Sequence, residues 1–312
     1  MTFKVGDKEY DLDENLRNQV KPGWMEMLNP AKERKIKIVP MNFLASILKA
    51  EDALSRHKET IVGKEVLEIG CNEGARCYLM AKYHDTWVHG IDVDEYTVDQ
   101  SPDLNSWNPK DVDFVHGTFD RVRKEIASEF PDCITDKVTF ETVGMEGFIG
   151  DSFDLLIGWD TLEHIIDLPT AFKRMSEALN KGGIVYHEYN PFFAINGGHS
   201  LCTLDFLYGH CRLSSKDFER YIREIRPSEE KIDLNFYHKC LNRATRADIR
   251  KLAEDSGFEV LELSGTPCFG SATPAWKERI EREFLKEVQF NYPTATVDDL
   301  LCDFLTLILR KK

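Results

Sequence analysis

The stretch VLEIGCNEGA, Val66 to Ala75, runs from apolar residues through an acid into a Gly-Cys-Asn-Glu-Gly turn. A strand ending in such a turn receives a ligand, because glycine allows backbone conformations and close approaches that other residues resist. The turn is not a dinucleotide fingerprint. From Gly70 the order is GCNEGA, so Asn72 stands where GxGxxG needs its second glycine against a pyrophosphate. Glu68, just before the turn, also suits a cationic ligand better than a diphosphate. Both points count against a nicotinamide dehydrogenase. A second carboxylate, Asp92, closes GID 24 residues after Glu68. At a strand end it can accept both hydroxyls of a ribose. A nucleoside with a positive charge and no phosphates fits the pair, and S-adenosylmethionine is such a molecule.

Two further groups can do chemistry. WDTLEH places Asp160, Glu163 and His164 at i, i+3 and i+4, on one face if the backbone is helical. Three such groups can bind a divalent ion such as magnesium, manganese or iron. Alternatively Glu163 and His164 orient the loop, or His164 acts as base or touches substrate. NPFFAINGGHSLCTLDFLYGHCRL carries Asn190, His199, Cys202, Asp205, Tyr208, His210 and Cys211. His199 follows two glycines, which lets the backbone bend close to a ligand, and is the candidate on the substrate side. His187, on a strand, reads as core or as support behind the site. A zinc set of His199, Cys202, His210 and Cys211 or Cys240 lacks the tight CxxC spacing.

These residues need a scaffold, and the rest of the chain describes one. The 312 residues carry a net charge of −14, which repels a phosphate backbone and excludes long nucleic acids as expected substrates. KERKIK, Lys32 to Lys37, is the basic exception and reads as a solvated element. No run approaches the roughly 18 apolar residues of a membrane span, and the charged N-terminus lacks a signal-peptide core. The eight cysteines, Cys133 and Cys268 among them, are scattered without a disulfide framework. The expectation is a cytoplasmic protein.

From Glu65 strands and helices alternate. EVLEIG, WVHGID, KVTFETV, FDLLIGW and GIVYHEY read as strands. Helices are expected over 75–83 and from Pro169 to a stop at Gly182 and Gly183. Asn42 is the expected cap of an earlier helix with Phe43, Leu44, Ile47 and Leu48 on one face. Thr245 and Asp248 read as a capping box, FEVLEL as a sixth strand and FLTLILR as a seventh. Such alternation argues for a parallel sheet covered on both faces.

VLEIGCNEG, GIDVD, FDLLIGWDTLEHI and LNKGGIVYHEYNP, in that order, resemble the class I S-adenosylmethionine-dependent methyltransferases. WDTLEH is similar to the acid-x-x-Glu-His group of ubiquinone-pathway O-methyltransferases, where it is linked to a divalent metal. The resemblance implies an α/β Rossmann-like sheet of seven strands, helices on both faces, lid insertions and an antiparallel last strand. It implies that Glu68, Gly70, Cys71 and Gly74 surround the methionine part of the cofactor, Asp92 holds the ribose and Trp159 lines the methionine pocket. Met145 and Glu146 stand nearest to where the family contacts adenine. His164 and His199 are the catalytic candidates, and Asp160, Glu163 and His164 the metal candidates. The organisation implied is an N-terminal extension with lid helices over 1–57, a cofactor-binding core over 58–190, a substrate insertion over 191–244 and the rest of the core over 245–312, with a helical insertion at 266–298. The expected reaction methylates a small molecule, at oxygen first and nitrogen next. The alternatives are a protein or peptide methyltransferase and a non-catalytic cofactor-binding module.

Overall fold

Seven strands of mostly buried apolar residues assemble in an order far from their order in the chain. The computed structural model describes residues 1–20, 40–72, 74–93, 136–199 and 201–312. The KERKIK stretch and Cys133 fall outside them. A short antiparallel hairpin, β1 (Thr2–Val5) and β2 (Lys8–Asp11), comes first. The main strands are β3 (Glu65–Ile69), β4 (Trp87–Asp92), β5 (Val138–Thr142), β6 (Phe153–Trp159), β7 (Leu179–Tyr189), β8 (Phe258–Pro267) and β9 (Cys302–Lys311). Their order across the sheet is β5-β4-β3-β6-β7-β9-β8. Strands β5, β4, β3, β6 and β7 run parallel.

The last strand runs the other way. Lys311 Nζ donates to Leu179 O at 2.7 Å, joining the end of β9 to the start of β7. Asn190 Nδ2 donates to Asp303 O at 2.6 Å, joining the start of β9 to the end of β7. The sheet is therefore mixed, as expected, with an antiparallel β9.

Helices α1 (Pro40–Ser55) and α2 (Ala75–His84) cover one face. Ile47, Leu54 and Met80 pack there with Val66, Leu155, Ile157, Tyr186 and Ile308. Side chains alternate across a strand, so Leu156 and Val185 face the opposite side. Helix α3 (Leu168–Ala178) joins β6 to β7, a crossover leading away from β3 in the opposite direction to α2, and right-handed crossovers then place the two helices on opposite faces. Its Phe172 and Met175 are fully buried, each contributing about 1.5–3 kcal/mol. Asp167 caps α3 by accepting from Thr170 N at 3.1 Å.

Two boundaries differ from expectation. Helix α1 starts at Pro40, so Asn42 lies inside its first turn; proline is tolerated there because that N–H has no helical acceptor. Helix α3 stops at Ala178, and Gly182 and Gly183 lie inside β7. Pairing with β6 jumps from Phe153–Leu179 to Leu155–Ile184, so the glycines form a bulge with Gly182 at φ 79°.

The chain forms two compact units. One contains Met1–Lys32, Tyr189–Arg250 and Ser264–Leu305; the other contains Glu33–Glu188, Lys251–Leu263 and Thr306–Lys312. In the first, Ser214 caps α4 (Ser215–Ile225), and the hairpin packs Phe3 edge-on to Tyr221 and stacks Tyr10 on Phe206. A buried pair joins Arg226 to Asp205 at 2.7 Å, and Tyr221 donates to the same carboxylate at 2.6 Å. Among the described residues no helix is long and apolar enough to cross a membrane.

Candidate active site

The glycine turn leaves β3 at the point where the sheet order reverses, with β4 on one side and β6 on the other. Ligands of open α/β sheets bind in such a crevice, at the carboxyl ends of the strands. The turn is tied to the end of β4. Gly70 N and Cys71 N donate to Ile91 O at 2.9 and 3.0 Å. Asn72 N donates to one oxygen of Asp92 at 2.5 Å, and Val93 N to the other at 2.7 Å. Asp92 is half-buried and clamps the turn to the end of β4.

Gly70 adopts φ 73° and Gly74 φ 79°. A Cβ on Gly70 would strike the Thr161 hydroxyl, and one on Gly74 the Phe140 ring. The glycines let neighbouring strand ends press against the turn. Asn72, at φ 48°, supplies the amide that Asp92 accepts. Its role was not anticipated, although asparagine between glycines signals left-handed backbone.

Glu68 sits beneath the turn. It is fully buried and accepts from Cys77 Sγ of α2 at 2.8 Å. Burial chiefly, then Cys71 and Glu68, pushes the Cys77 thiol well up and keeps it protonated as the donor. Cys71 is buried beside it. Met145 is buried in the turn after β5, while half-buried Glu146 folds over Gly144 next to Val93. That turn therefore reaches the end of β4, beside Asp92. Trp159 ends β6, almost fully buried, tilted against Tyr186 with ring centroids 6.1 Å apart.

The proposed metal triad does not form a helical face. Asp160 has φ 52°, is exposed, and gives its amide to Glu188 O at 2.8 Å. Only Leu162–His164 winds into a single 3-10 turn. The i, i+3, i+4 geometry needs a helix from the first residue, and Asp160 stands outside that turn. Glu163 is 1% exposed, and its Oε1 lies 4.0 Å from His164 Nε2.

His199 belongs to the other unit. It is half-buried at φ 48°, with its ring edge-on to Phe236 at 5.7 Å. Gly197 and Gly198 serve local packing, because a Cβ on either would strike the backbone of Pro191 and Phe192 or of Cys202 and Thr203. The zinc alternative has no cluster among the described residues. His210 Nε2 bonds Phe192 O at 2.8 Å, Cys202 donates to Asp233 O and Cys211 to Tyr208 O.

His187 is core. It is fully buried on β7, its ring against Gly158, and burial pushes its pKa down to about 4. The unfolded chain takes up this proton near pH 6.5, the folded chain only near 4. Stability is therefore lost as pH falls from about 6.5 to 4, by up to about 3 kcal/mol. Urea unfolding at pH 7 and pH 4.5 checks this: His187→Leu should show a smaller acid loss than the native protein. An equal loss in both would clear His187 of the effect.

The residues present fit S-adenosylmethionine. A half-buried carboxylate ends β4, an uncapped glycine turn follows β3, and an aromatic wall carrying an unpartnered buried indole N–H stands at β6.

Comparison with known proteins agrees. A sequence model described as a methyltransferase domain matches residues 44–263, more than half of the chain. No curated protein matches the chain in sequence. Among solved structures the chain is similar to an S-adenosylmethionine-dependent methyltransferase from Mesorhizobium loti, at 14% identity and TM-score 0.44, covering 83% of this chain and 96% of that one. It is similar to the magnesium protoporphyrin IX methyltransferase of Synechocystis PCC 6803, at 13% identity and TM-score 0.46, covering 93% of each chain. A geranyl diphosphate C-methyltransferase from Streptomyces coelicolor A3(2) matches at 13% identity and TM-score 0.45, over 85% of this chain and 76% of that one. Likeness this distant assigns neither substrate nor residue role. With the motif order, the glycine turn and the family match in place, the chain belongs to the methyltransferase-domain family and is an S-adenosylmethionine-dependent methyltransferase.

Proposed function

We propose that the chain methylates a small molecule, at oxygen first and nitrogen next, with His164 as the base. The observation that carries this reading is the His164–Glu163 pair at the end of β6. An acceptor hydroxyl must lose its proton as it attacks, and an imidazole 4.0 Å from a buried carboxylate suits that task. Bound S-adenosylmethionine supplies an activated methyl on a sulfonium. The chain's own work is to align the acceptor and take its proton at His164 Nε2, with Glu163 beside the imidazole. Asp92 and the glycine turn would hold the nucleoside, Met145 and Glu146 the adenine side, and Trp159 the methionine side. Glu68 and Cys71 would support the turn from below.

A divalent metal held by Asp160, Glu163 and His164 is the alternative that the EDTA arm of the test decides. The net charge of −14 supports a small acceptor over nucleic acid. Residues 1–57 and 191–244 are assigned to acceptor capture, with His199 on the acceptor side. The test is a screen of hydroxyl and amine acceptors with methyl-labelled cofactor, scored by label transfer and run with and without EDTA. In the same assay His199→Ala should cut turnover while S-adenosylhomocysteine binding stays unchanged. Label transfer only to proteins would replace the small-molecule reading.

A further inference from the structure

We propose that Cys71 and Cys77 form a redox-active thiol pair, and that a peroxide-class oxidant, by joining them in a disulfide, weakens cofactor binding at the glycine turn; the second clause rests on that turn being the cofactor site. Cys71 stands in the turn after β3 and Cys77 in the first turn of α2. Both are buried and free. They meet over Gly90, in the interior of β4. A Cβ on Gly90 would lie 2.9 Å from Cys71 Sγ and 2.9 Å from Cys77 Sγ, with the Phe140 ring closing a third side at 2.8 Å. Two sulfurs thus share the room of one absent side chain. Glycine weakens a strand interior and marks a close approach, and here the groups that approach are thiols.

The surroundings suit an exchange of electrons. Cys71 is the point of entry, because the next residue of the turn, Asn72, is exposed. Cys77 lies deeper and gives its Sγ–H to Glu68 Oε2 at 2.8 Å. Burial first, then Cys71, keeps that thiol protonated, so it needs a base at hand before it can attack. Glu68 is that base. The Cys71 sulfur attacks one oxygen of hydrogen peroxide; the O–O bond breaks, leaving a sulfenic acid and water. The Cys77 sulfur then attacks the sulfenic sulfur, its proton passes through Glu68 to the departing hydroxide, and the S–O bond breaks. Two thiols lose two electrons and two protons, and the peroxide becomes two waters.

The new bond would act on the turn from below. It draws the sulfurs to about 2.05 Å and ties Cys71 to α2. It removes the thiol proton that Glu68 accepts beneath the turn. Asn72, the residue after Cys71, carries the amide that Asp92 holds at 2.5 Å, and the amide of Cys71 itself is held by Ile91 O at 3.0 Å. A shift of Cys71 toward α2 is therefore a shift of the clamp between the turn and β4.

The experiment exposes the full chain to hydrogen peroxide and reads two quantities in parallel. Trypsin cuts after Arg76, between the two cysteines, so the disulfide shows in mass spectrometry as a linked pair of peptides. Calorimetric titration with S-adenosylhomocysteine reads affinity in the reduced, the oxidised and the dithiothreitol-treated protein. The linked pair should form, affinity should fall by about 10–100-fold in step with it, and dithiothreitol should reverse both. Cys77→Ser keeps a donor for Glu68 without the second sulfur, so it should give no linked pair and lose much less affinity. If this variant does not fold, the joint appearance and reversal in the native protein decide the matter. No linked pair in folded protein, a linked pair with unchanged affinity, or an equal loss in Cys77→Ser each overturns the proposal and leaves the cofactor site standing. A reduced, folded native protein that binds no S-adenosylhomocysteine would overturn the proposal and the site together.

Discussion

Asp92→Ala should weaken S-adenosylhomocysteine binding by roughly 30- to 1,000-fold, on the order of 2–4 kcal/mol. Two losses combine. The proposed ribose acceptor disappears, and the amides of Asn72 and Val93 lose the oxygens that they hold at 2.5 and 2.7 Å. The turn is then released from the end of β4, although Gly70 and Cys71 keep their bonds to Ile91. Asp92→Asn separates the contributions. One amide oxygen can still accept a backbone N–H, but the second oxygen is gone, so binding should fall between the two extremes. Calorimetric titration measures both variants against the native chain. Undiminished affinity in Asp92→Ala would remove this residue from the site.

His164→Ala should lower turnover by about 10²–10⁴-fold and leave cofactor affinity intact. The imidazole follows the buried Glu163 on a short turn, and its own amide donates to Thr161 O at 2.9 Å, so deletion of the ring leaves the backbone held. The rate profile carries the sharper signature. A base that must be neutral gives a native rate that rises with pH on the acid side, and this limb should vanish in the variant. His164→Gln, which keeps hydrogen bonding without basicity, should resemble alanine. If glutamine restores the rate, His164 holds the loop or the acceptor and takes no proton.

Much of this was legible in the residues, for physical reasons that also explain the rest. β3, β4 and β6 are short apolar runs because both faces of a parallel sheet are covered, and that pattern survives any uncertainty about neighbours. Asp92 ends its strand, as the sequence pattern implies. The capping box at Thr245 holds: Asp248 N donates to Thr245 Oγ1 at 3.2 Å and Thr245 N to Asp248 at 2.9 Å. Gly182 and Gly183 misled because paired glycines usually end helices, whereas here a neighbouring strand's register needed a bulge. The helical face expected for Asp160 presumed a regular turn, and a left-handed backbone leaves no trace in spacing.

The placement of β9 has a consequence for how the chain is made. β8 emerges from the ribosome before the strand that will join it to β7. Until Cys302–Lys311 follows, the outer edge of β7 and all of β8 wait without their sheet partner, and Leu307, Ile308 and Leu309, later fully buried, have nowhere to go. Closure over such sequence separations is slow, and open strand edges invite pairing with other chains. The sheet is thus completed by insertion rather than by growth from one side, and the interval before insertion is when the nascent chain most needs protection from its neighbours.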